Sequence, residues 1–269
     1  MKLCLICSRK AKGSLCIKCA DDPFRMENYR DLLAKNRNYD LLKKTYTKKI
    51  SEIKDLNTAD FWDNRLFKIQ SIDEQDGMAK DRIFTTLNFI PNRKLKILDI
   101  GAGYGFIEEI IQKRHIKVKL FGNDISGAAI NNLKKRFRGT FKIESIYNMN
   151  YKNDYFDVVL LLEVLEHIPP SRTLKILSKI NKLIKKDGYF ILSVPMNEGL
   201  EYMKTNKNGH VRVYTRDIIF SELKISGFEV INYKEFYAFN KFYFFKKMLS
   251  KLLLNRWKPN NIVIKAKKK

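Results

Sequence analysis

The chain has 269 residues, a formal net charge of +24, 45% hydrophobic residues and 12% aromatic residues. This length and apolar content are sufficient for one large globular domain with a smaller appendage. The sequence has no uninterrupted apolar run of about 18 residues and no apolar signal-peptide core near its start. We therefore expect a cytoplasmic protein without a transmembrane segment.

The positive charge is concentrated toward the end of the chain. Residues 1–95 contain 20 basic and 13 acidic side chains, whereas residues 228–269 contain 11 and 2. Such a balance can attract nucleic acid or an anionic membrane surface. A lysine-rich background composition accounts for it as well, so charge alone leaves the partner open.

All four cysteines lie in the first twenty residues, in two C-x-x-C pairs. Cys4 and Cys7 form the first pair, Cys16 and Cys19 form the second, and eight residues separate them. Four thiolates at this spacing are typical of a tetrahedral structural zinc site. Disulfides are the alternative, but they are rare in a cytosolic chain. We predict a zinc-binding knuckle over residues 1–20, without an open coordination position and therefore not catalytic.

A helical region is predicted between this knuckle and the main domain, over residues 21–95. Scattered apolar residues between 21 and 56 predict one or two amphipathic helices. The stretches 60–63 and 73–77 are interpreted as connecting turns. A helix over residues 78–90 then leads through Pro91 into the first main strand.

The main domain is organised around a strand, a glycine turn and the start of a helix. An apolar run over residues 96–100 is followed by Gly101, Gly103 and Gly105, and then by helical periodicity. Glycines let the backbone turn sharply close to a ligand, and the N–H groups of a new helix favour an anionic group. The spacing G-x-G-x-G, followed by the bulky Phe106, disfavours the G-x-G-x-x-G fingerprint of nicotinamide enzymes. Asp124 ends the next apolar run, where a carboxylate can accept from ribose hydroxyls, so an adenosyl ligand fits.

Residues 98–105 (Leu-Asp-Ile-Gly-Ala-Gly-Tyr-Gly) resemble the first motif of the class I S-adenosylmethionine-dependent methyltransferases, in particular the type 11 or ubiquinone-pathway O-methyltransferases. Residues 156–159 and 163–168 match the fourth-strand motif of that family in the right order. The resemblance implies S-adenosylmethionine as cofactor and a Rossmann-like α/β domain over residues 96–269. The sheet would have seven strands, mostly parallel, with an antiparallel last strand.

The same resemblance assigns residues to parts of the cofactor. The methionine carboxylate would lie on backbone N–H groups around Gly103 and Gly105, Asp99 near the methionine ammonium, and Asp124 on the ribose. The family commonly carries an acidic residue for adenine after the third strand, where this chain has Ser145 and Ile146. The full expected cofactor set is Asp99, Gly101, Gly103, Gly105, Asp124, Ser145, Ile146 and Glu163.

Periodicity places the elements of this domain along the chain. Apolar runs predict strands near 96–100, 118–122, 140–144, 155–162, 189–194, 228–233 and 262–265. Helical patterns fall near 104–113, 126–136, 172–186 and 215–226. Alternating strands and helices predict a parallel sheet that is covered on both faces.

Residues 240–257 form an insertion with apolar residues at helical spacing and interleaved lysines. Such a basic amphipathic helix can make a peripheral contact with a membrane or lie against phosphates. It can equally pack on the sheet edge as a lid.

The candidate catalytic residues follow the fourth strand and the fifth. Glu163, Glu166 and His167 resemble the pattern of small-molecule and lipid O-methyltransferases, and His210 lies in a segment from which the family often reaches the acceptor. His167 could act as a general base, or it could cap the adjoining turn. The four residues could also hold magnesium, manganese or zinc at the acceptor site, as a similar set does in small-RNA 2′-O-methyltransferases. E-H at this strand is also widespread in metal-free relatives.

Absent residues narrow the reaction. No cysteine follows Cys19, which excludes a cytosine C5 methyltransferase. The setting of Pro169 and Pro170, between isoleucine and serine, argues against an adenine amino-methyltransferase. Three functions remain: an O-methyltransferase for a small molecule, lipid or sugar; an RNA methyltransferase that uses the zinc knuckle and basic surface; and a non-catalytic binding module.

Overall fold

The structure is a computed structural model that describes residues 2–3, 10–11, 56–66, 72–114, 117–198, 208–239, 243–252 and 258–269. The four cysteines of the predicted zinc knuckle lie outside the described residues, as does most of the predicted helical region over residues 21–56. Within the described residues, none of the helices has the length and apolar character needed to cross a membrane.

A seven-stranded sheet forms the centre of the molecule. After a two-stranded antiparallel ribbon, β1 (Lys2–Leu3) and β2 (Lys10–Ala11), its strands are β3 (Leu95–Ile100), β4 (Val118–Asp124), β5 (Thr140–Ile143), β6 (Phe156–Leu162), β7 (Ile184–Pro195), β8 (Phe228–Phe236) and β9 (Asn261–Lys268). The order in the sheet is β5-β4-β3-β6-β7-β9-β8. Neighbours from β5 to β7 are parallel, and β9 is antiparallel to both β7 and β8. The predicted fold class is confirmed.

Helices cover both faces of this sheet. They are α1 (Ala59–Leu66), α2 (Gly77–Phe89), α3 (Phe106–Lys113), α4 (Gly127–Arg136), α5 (Pro170–Leu183), α6 (Arg216–Ile225) and α7 (Tyr243–Leu252). One buried cluster joins the sheet to α5 and α6, for example through Leu177 and Leu223. A second cluster joins the opposite face to α2, α3 and α4, for example through Leu87, Ile111 and Leu133. Burying each such side chain contributes roughly 1.5–3 kcal/mol, which makes the sheet a rigid support for the site.

Several helices begin where the sequence supplies a capping side chain. Asp76 accepts from the N–H of Ala79 at 2.8 Å at the start of α2, and Ser126 accepts from the N–H of Ala129 at 3.0 Å at the start of α4. Such caps satisfy N–H groups that have no partner within the helix. Helix α5 begins with Pro170, whose missing N–H costs nothing at the first helical position.

Two sequence expectations about elements are wrong. Residues 60–63 are not a turn but part of α1, where Thr58 accepts from the N–H of Phe61 at 3.2 Å and opens the helix. The helix predicted over 172–186 ends at Leu183, and Ile184 already begins β7. Ile184 is fully buried and pairs with Phe156, so the chain joins the sheet at this point instead of continuing the helix.

Candidate cofactor and acceptor site

A cavity of about 350 Å³ lies at the carboxyl ends of the central parallel strands. The strand order reverses between β3 and its neighbours β4 and β6, and ligands of open α/β sheets bind at such a switch point. The lining residues that matter below are Asn57, Trp62, Arg82, Asp99, Gly101, Gly103, Asp124, Glu144, Ser145, Ile146, Glu163 and His167. The cavity therefore brings together nearly all of the residues that the sequence assigned to the cofactor.

The glycine loop is tightly packed against its neighbours. Gly101, Gly103 and Gly105 have φ angles of +71°, +52° and +77°, in the left-handed region that other residues rarely adopt. A Cβ on Gly101 would lie 2.4 Å from Val164 Cγ2, and one on Gly105 would lie 2.4 Å from Leu133 Cδ2. Gly105 is not a lining residue. It serves instead to let α3 begin against α4.

The N–H groups of this loop are already used inside the protein. Gly101 and Ala102 donate to the carbonyl of Asn123 at 2.8 and 3.2 Å, and Gly105 donates to the carbonyl of Ala102 at 3.0 Å. Gly103 donates to Asp124 Oδ2 at 3.0 Å. The N–H groups of Gly103 and Gly105 themselves are thus paired within the loop, and binding of the methionine carboxylate by N–H groups around these glycines stays a prediction.

Asp124 joins the glycine loop to the start of α4 at the cofactor end of the cavity. Its Oδ1 accepts from the N–H of Ser126 at 2.9 Å, while Oδ2 accepts from Gly103. Burial raises the pKa of Asp124, although backbone hydrogen bonds oppose that shift. Each carboxylate oxygen can accept a further hydrogen bond, so the side chain can still accept one from a ligand hydroxyl in the cavity.

Asp99 offers a buried carboxyl group toward a cation. Only 3% of Asp99 is exposed, and its Oδ1 has no hydrogen-bond partner. Burial raises the pKa of Asp99 well above its usual range, and the neighbouring carboxyl groups of Glu108 and Asp124 add to the shift. Burial also raises the pKa of Glu108 to about 7. A ligand ammonium at this point would supply the countercharge that Asp99 lacks, which fits the methionine end of S-adenosylmethionine.

Ser145 and Ile146 line the cavity as predicted from the motif position, and a third residue joins them. Glu144 Oε2 is buried without a hydrogen-bond partner. The backbone of Glu144 is fixed because its N–H donates to the carbonyl of Asp124 at 2.9 Å and its carbonyl accepts from Asn123 Nδ2 at 3.0 Å. Glu144 ends the third predicted strand, so the sequence shows an acidic residue there, but the sequence does not show that its carboxylate is buried in the cavity wall.

Helix α1 forms a wall across the cavity. At the cofactor end, Asp63 accepts from Ser126 Oγ and, at 3.2 Å, from the N–H of Ala128. The neighbouring residue Trp62 packs its ring edge-on against His167 with centroids 4.8 Å apart. These two adjacent residues place the helix between the start of α4 and His167, and Trp62 lines the cavity.

Glu163 lines the cavity but is held by three partners. Arg82 of α2 forms an ion pair with its carboxylate at 2.5 Å. Ser193 Oγ donates to Glu163 Oε1 at 2.7 Å, and Asn261 Nδ2 lies 3.0 and 2.9 Å from the two carboxylate oxygens. The backbone of Glu163 has a φ of +54°. This network joins α2 to β6, β7 and β9 at the floor of the cavity.

Glu166, His167 and His210 form a separate cluster. One ligand-type atom from each lies within 4.8 Å of the others. His167 Nδ1 lies 3.1 Å from the carbonyl of Gly209, and His210 Nδ1 lies 2.9 Å from the carboxylate of Glu198. Because these partners accept hydrogen bonds, each Nδ1 donates to its partner and the direction of each ring is fixed. His167 Nε2 lies 3.8 Å from Glu166 Oε1.

The four candidate catalytic residues differ in whether they line the cavity. His167 and Glu163 line the cavity, whereas Glu166 and His210 do not. His210 reaches the site through His167, since the two rings are 5.0 Å apart at their centroids. Only 1% of Glu166 is exposed, and burial raises its pKa well above the usual range, with the charge of Glu163 adding to the shift.

The family model described as a methyltransferase domain matches residues 54–233, about two thirds of the chain. The chain belongs to the methyltransferase domain family. It is therefore an enzyme, and S-adenosylmethionine is the cofactor that the cavity fits.

Other proteins resemble this chain in sequence or in fold. Over 188 residues the methyltransferase is 25% identical to an uncharacterized protein of Methanocaldococcus jannaschii, covering 68% of this chain and 78% of the relative. A SAM-dependent methyltransferase from Archaeoglobus fulgidus has the same fold, with a TM-score of 0.55 and 20% identity over 70% of this chain and 92% of the other.

A second similar structure carries ligands. The 1,6-didemethyltoxoflavin-N1-methyltransferase of Burkholderia thailandensis, solved with its acceptor and S-adenosylhomocysteine, has a TM-score of 0.52 and 16% identity. The match covers 73% of this chain and 80% of that chain.

Proposed function

We propose that this methyltransferase transfers a methyl group from S-adenosylmethionine to a hydroxyl group of a small molecule, lipid or sugar. The observation that carries the proposal is the placement of His167. Its ring is oriented by the carbonyl of Gly209, and it lines the same cavity as Gly101, Gly103 and Asp124. A proton acceptor and a cofactor loop therefore line the same cavity.

Each side chain has a role in that chemistry. When bound, S-adenosylmethionine supplies an electrophilic methyl group on a sulfonium. Asp99 would hold its ammonium, Asp124 its ribose, and Glu144 with Ser145 and Ile146 its adenine. His167 Nε2 accepts the proton of the acceptor hydroxyl as general base. Trp62 and the rest of α1 exclude water and orient the acceptor, which is the main contribution an enzyme makes to methyl transfer.

The size of the cavity favours a small acceptor. Side chains of α1 and α2 line a cavity of about 350 Å³ over the strand ends, and the cofactor and the acceptor would share this volume. The Burkholderia enzyme, which is solved with bound 1,6-didemethyltoxoflavin, supports a small-molecule class by analogy. An RNA acceptor is the alternative that the net charge of +24 keeps open.

The cluster of Glu166, His167 and His210 favours a second form of the same proposal, in which a divalent ion activates the hydroxyl. The donor set fits, because each histidine gives its Nδ1–H to an oxygen, as metal-bound histidines usually do. Ligands of one ion lie at most about 4.2 Å apart, so the three side chains would have to close slightly. Two imidazoles and one carboxylate suit manganese or zinc better than magnesium. An ion there would lower the pKa of a bound hydroxyl.

A structural zinc ion on Cys4, Cys7, Cys16 and Cys19 also remains part of the proposal. It is supported by the spacing of the two C-x-x-C pairs. This zinc ion would have no role in methyl transfer.

The test is a search for the labelled product. The enzyme is incubated with S-adenosylmethionine carrying a trideuterated methyl group and with separate small-molecule, lipid and RNA fractions of the source cells. We expect a labelled O-methyl product in the small-molecule or lipid fraction, reduced about 10²–10⁴-fold by His167→Ala. Label on RNA would favour the alternative acceptor, and label on nitrogen or carbon would overturn the proposal of O-methylation.

A further inference from the structure

Helix α7 presents an apolar surface that the rest of the described chain does not cover. Phe244, Phe245 and Met248 have 76%, 61% and 58% of their surface exposed. They lie at positions i, i+1 and i+4 and therefore share one side of the helix. Large side chains of this kind are usually buried, and a contiguous exposed group marks an interaction site.

The opposite side of α7 is fixed to the body of the protein. Tyr243 Oη donates to Asp81 Oδ2 at 2.7 Å, and Lys247 Nζ forms an ion pair with the same carboxylate. The ring of Tyr243 also packs on Gly77, so closely that a Cβ on this glycine would lie 2.6 Å from the ring. The phenylalanines are therefore held outward by a docked helix.

The surroundings of this surface are basic. Residues 243–252 contain Lys246, Lys247 and Lys251 and no acidic residue, and residues 228–269 contain 11 basic and 2 acidic side chains. A helix with phenylalanine and methionine on one side and lysines on the rest of its surface is typical of helices that lie in the interface of a bilayer. Lysine stems can extend along apolar surface and place their ammonium groups at lipid phosphates.

We propose that α7 is a membrane-docking helix whose occupant is an anionic lipid bilayer, with Phe244, Phe245 and Met248 inserted at the headgroup boundary. The surface favours lipid over nucleic acid because its three most exposed side chains carry no group that can pair with a phosphate, and the nearby Lys247 is already paired with Asp81. The proposal does not depend on the identity of the methyl acceptor.

The docking helix is connected to the active site by one turn of α2. Asp81, which holds α7, is followed by Arg82 and Ile83, and both line the cavity. A bilayer that contacts α7 therefore lies beside the helix that walls the cavity. Docking there places the enzyme where a lipid or another membrane-dissolved acceptor is concentrated.

The experiment is vesicle cosedimentation of the full-length enzyme. Vesicles of phosphatidylcholine alone are compared with vesicles that also contain phosphatidylglycerol, at low and high salt. We expect binding to the anionic vesicles that falls about tenfold or more in a Phe244→Ser, Phe245→Ser double variant. Lys246→Glu should weaken the preference for phosphatidylglycerol, and added salt should do the same.

The matched control is Ile143→Ser, which removes a side chain with the same exposed fraction as Met248 from a distant strand. Thermal unfolding and affinity for S-adenosylhomocysteine should be unchanged in all of these variants, which shows that they fold. Binding of the double variant equal to wild type would overturn the proposal. So would vesicle binding that single-stranded RNA displaces from wild type and double variant alike, since the helix would then be a general polyanion site.

Discussion

His167 Nδ1 lies 3.1 Å from the carbonyl oxygen of Gly209, a residue with a φ of +71°. The same carbonyl accepts from Asn57 Nδ2 at 3.0 Å, and a Cβ on Gly209 would lie 3.1 Å from Asn57 Oδ1. The position of this one carbonyl therefore depends on a left-handed glycine, and the carbonyl in turn orients the ring of His167 through its Nδ1.

Gly209→Ala should therefore reduce methyl transfer more than it reduces stability. An alanine at this φ costs about 1–2 kcal/mol, and it shifts the carbonyl that orients His167, so we expect a rate loss of about tenfold or more. The assay is label transfer to the acceptor that the search for the labelled product identifies. Gly227→Ala is the control, because Gly227 has a φ of +83° and lies against Asn181 between α6 and β8. Equal rate losses in both variants would show that strain alone, and not the orientation of His167, is responsible.

Glu108→Gln should stabilise the enzyme at alkaline pH. Burial raises the pKa of Glu108 from 4.5 to about 7, so the folded state holds more protons than the unfolded state between these values. The free energy of unfolding therefore falls as pH rises through this window. Gln removes the cost of burying the charge, and we expect a gain on the order of 1–3 kcal/mol at pH 8.5 that shrinks toward pH 5.

Urea denaturation at the two pH values measures this difference. Glu229→Gln on the exposed side of β8 is the control for the substitution itself. A Glu108→Gln variant that is less stable than wild type at pH 8.5 would contradict the assignment of a buried, costly carboxylate.

Manganese binding distinguishes the three-residue cluster from the four-residue set that the sequence suggested. We expect Glu166→Gln and His210→Ala to weaken Mn²⁺ binding at least tenfold, whereas Glu163→Gln should retain it because Glu163 is held by Arg82, Ser193 and Asn261. Electron paramagnetic resonance of free Mn²⁺ gives the affinity directly. If wild type binds no Mn²⁺ or zinc at this cluster, His167 acts as a base without an ion.

Zinc content tests the cysteine pairs independently of the cavity. We expect one zinc per chain by elemental analysis, lost in Cys16→Ser, with the affinity for S-adenosylhomocysteine nearly unchanged. The reason is that a structural zinc stabilises its local fold while a large core exists elsewhere. A metal-replete preparation without zinc would refute this prediction.

Much of the fold could be predicted because local signals agree with it. The buried run at β6 has every residue from Val158 to Leu161 fully buried, and the glycine spacing before α3 matches three left-handed φ angles. The residues Asp99, Gly101, Gly103, Asp124, Ser145 and Ile146 meet at one cavity. The order of the predicted strands along the chain and the positions of the motifs were sufficient to predict that these residues lie together.

The remaining features depend on contacts between distant parts of the chain. Trp62 reaches His167 only because Asp63 fixes α1 on α4, and the stretch around it has the composition of a turn. The carboxylate of Glu163 is held by Arg82 and Asn261, which no local pattern relates to it. Glu108 looks like a solvent-facing helix residue, yet it is 1% exposed because α3 turns it toward Asp99.

Titration of S-adenosylhomocysteine into the enzyme tests the central claim, that the cavity above the glycine loop is the cofactor site. Isothermal calorimetry should show one binding site in wild type and no measurable binding in Gly103→Arg, whose side chain would fill the space that the cofactor occupies. Gly227→Arg carries the same change at a left-handed glycine far from the cavity and should bind as wild type does. Unchanged affinity in Gly103→Arg would contradict the account.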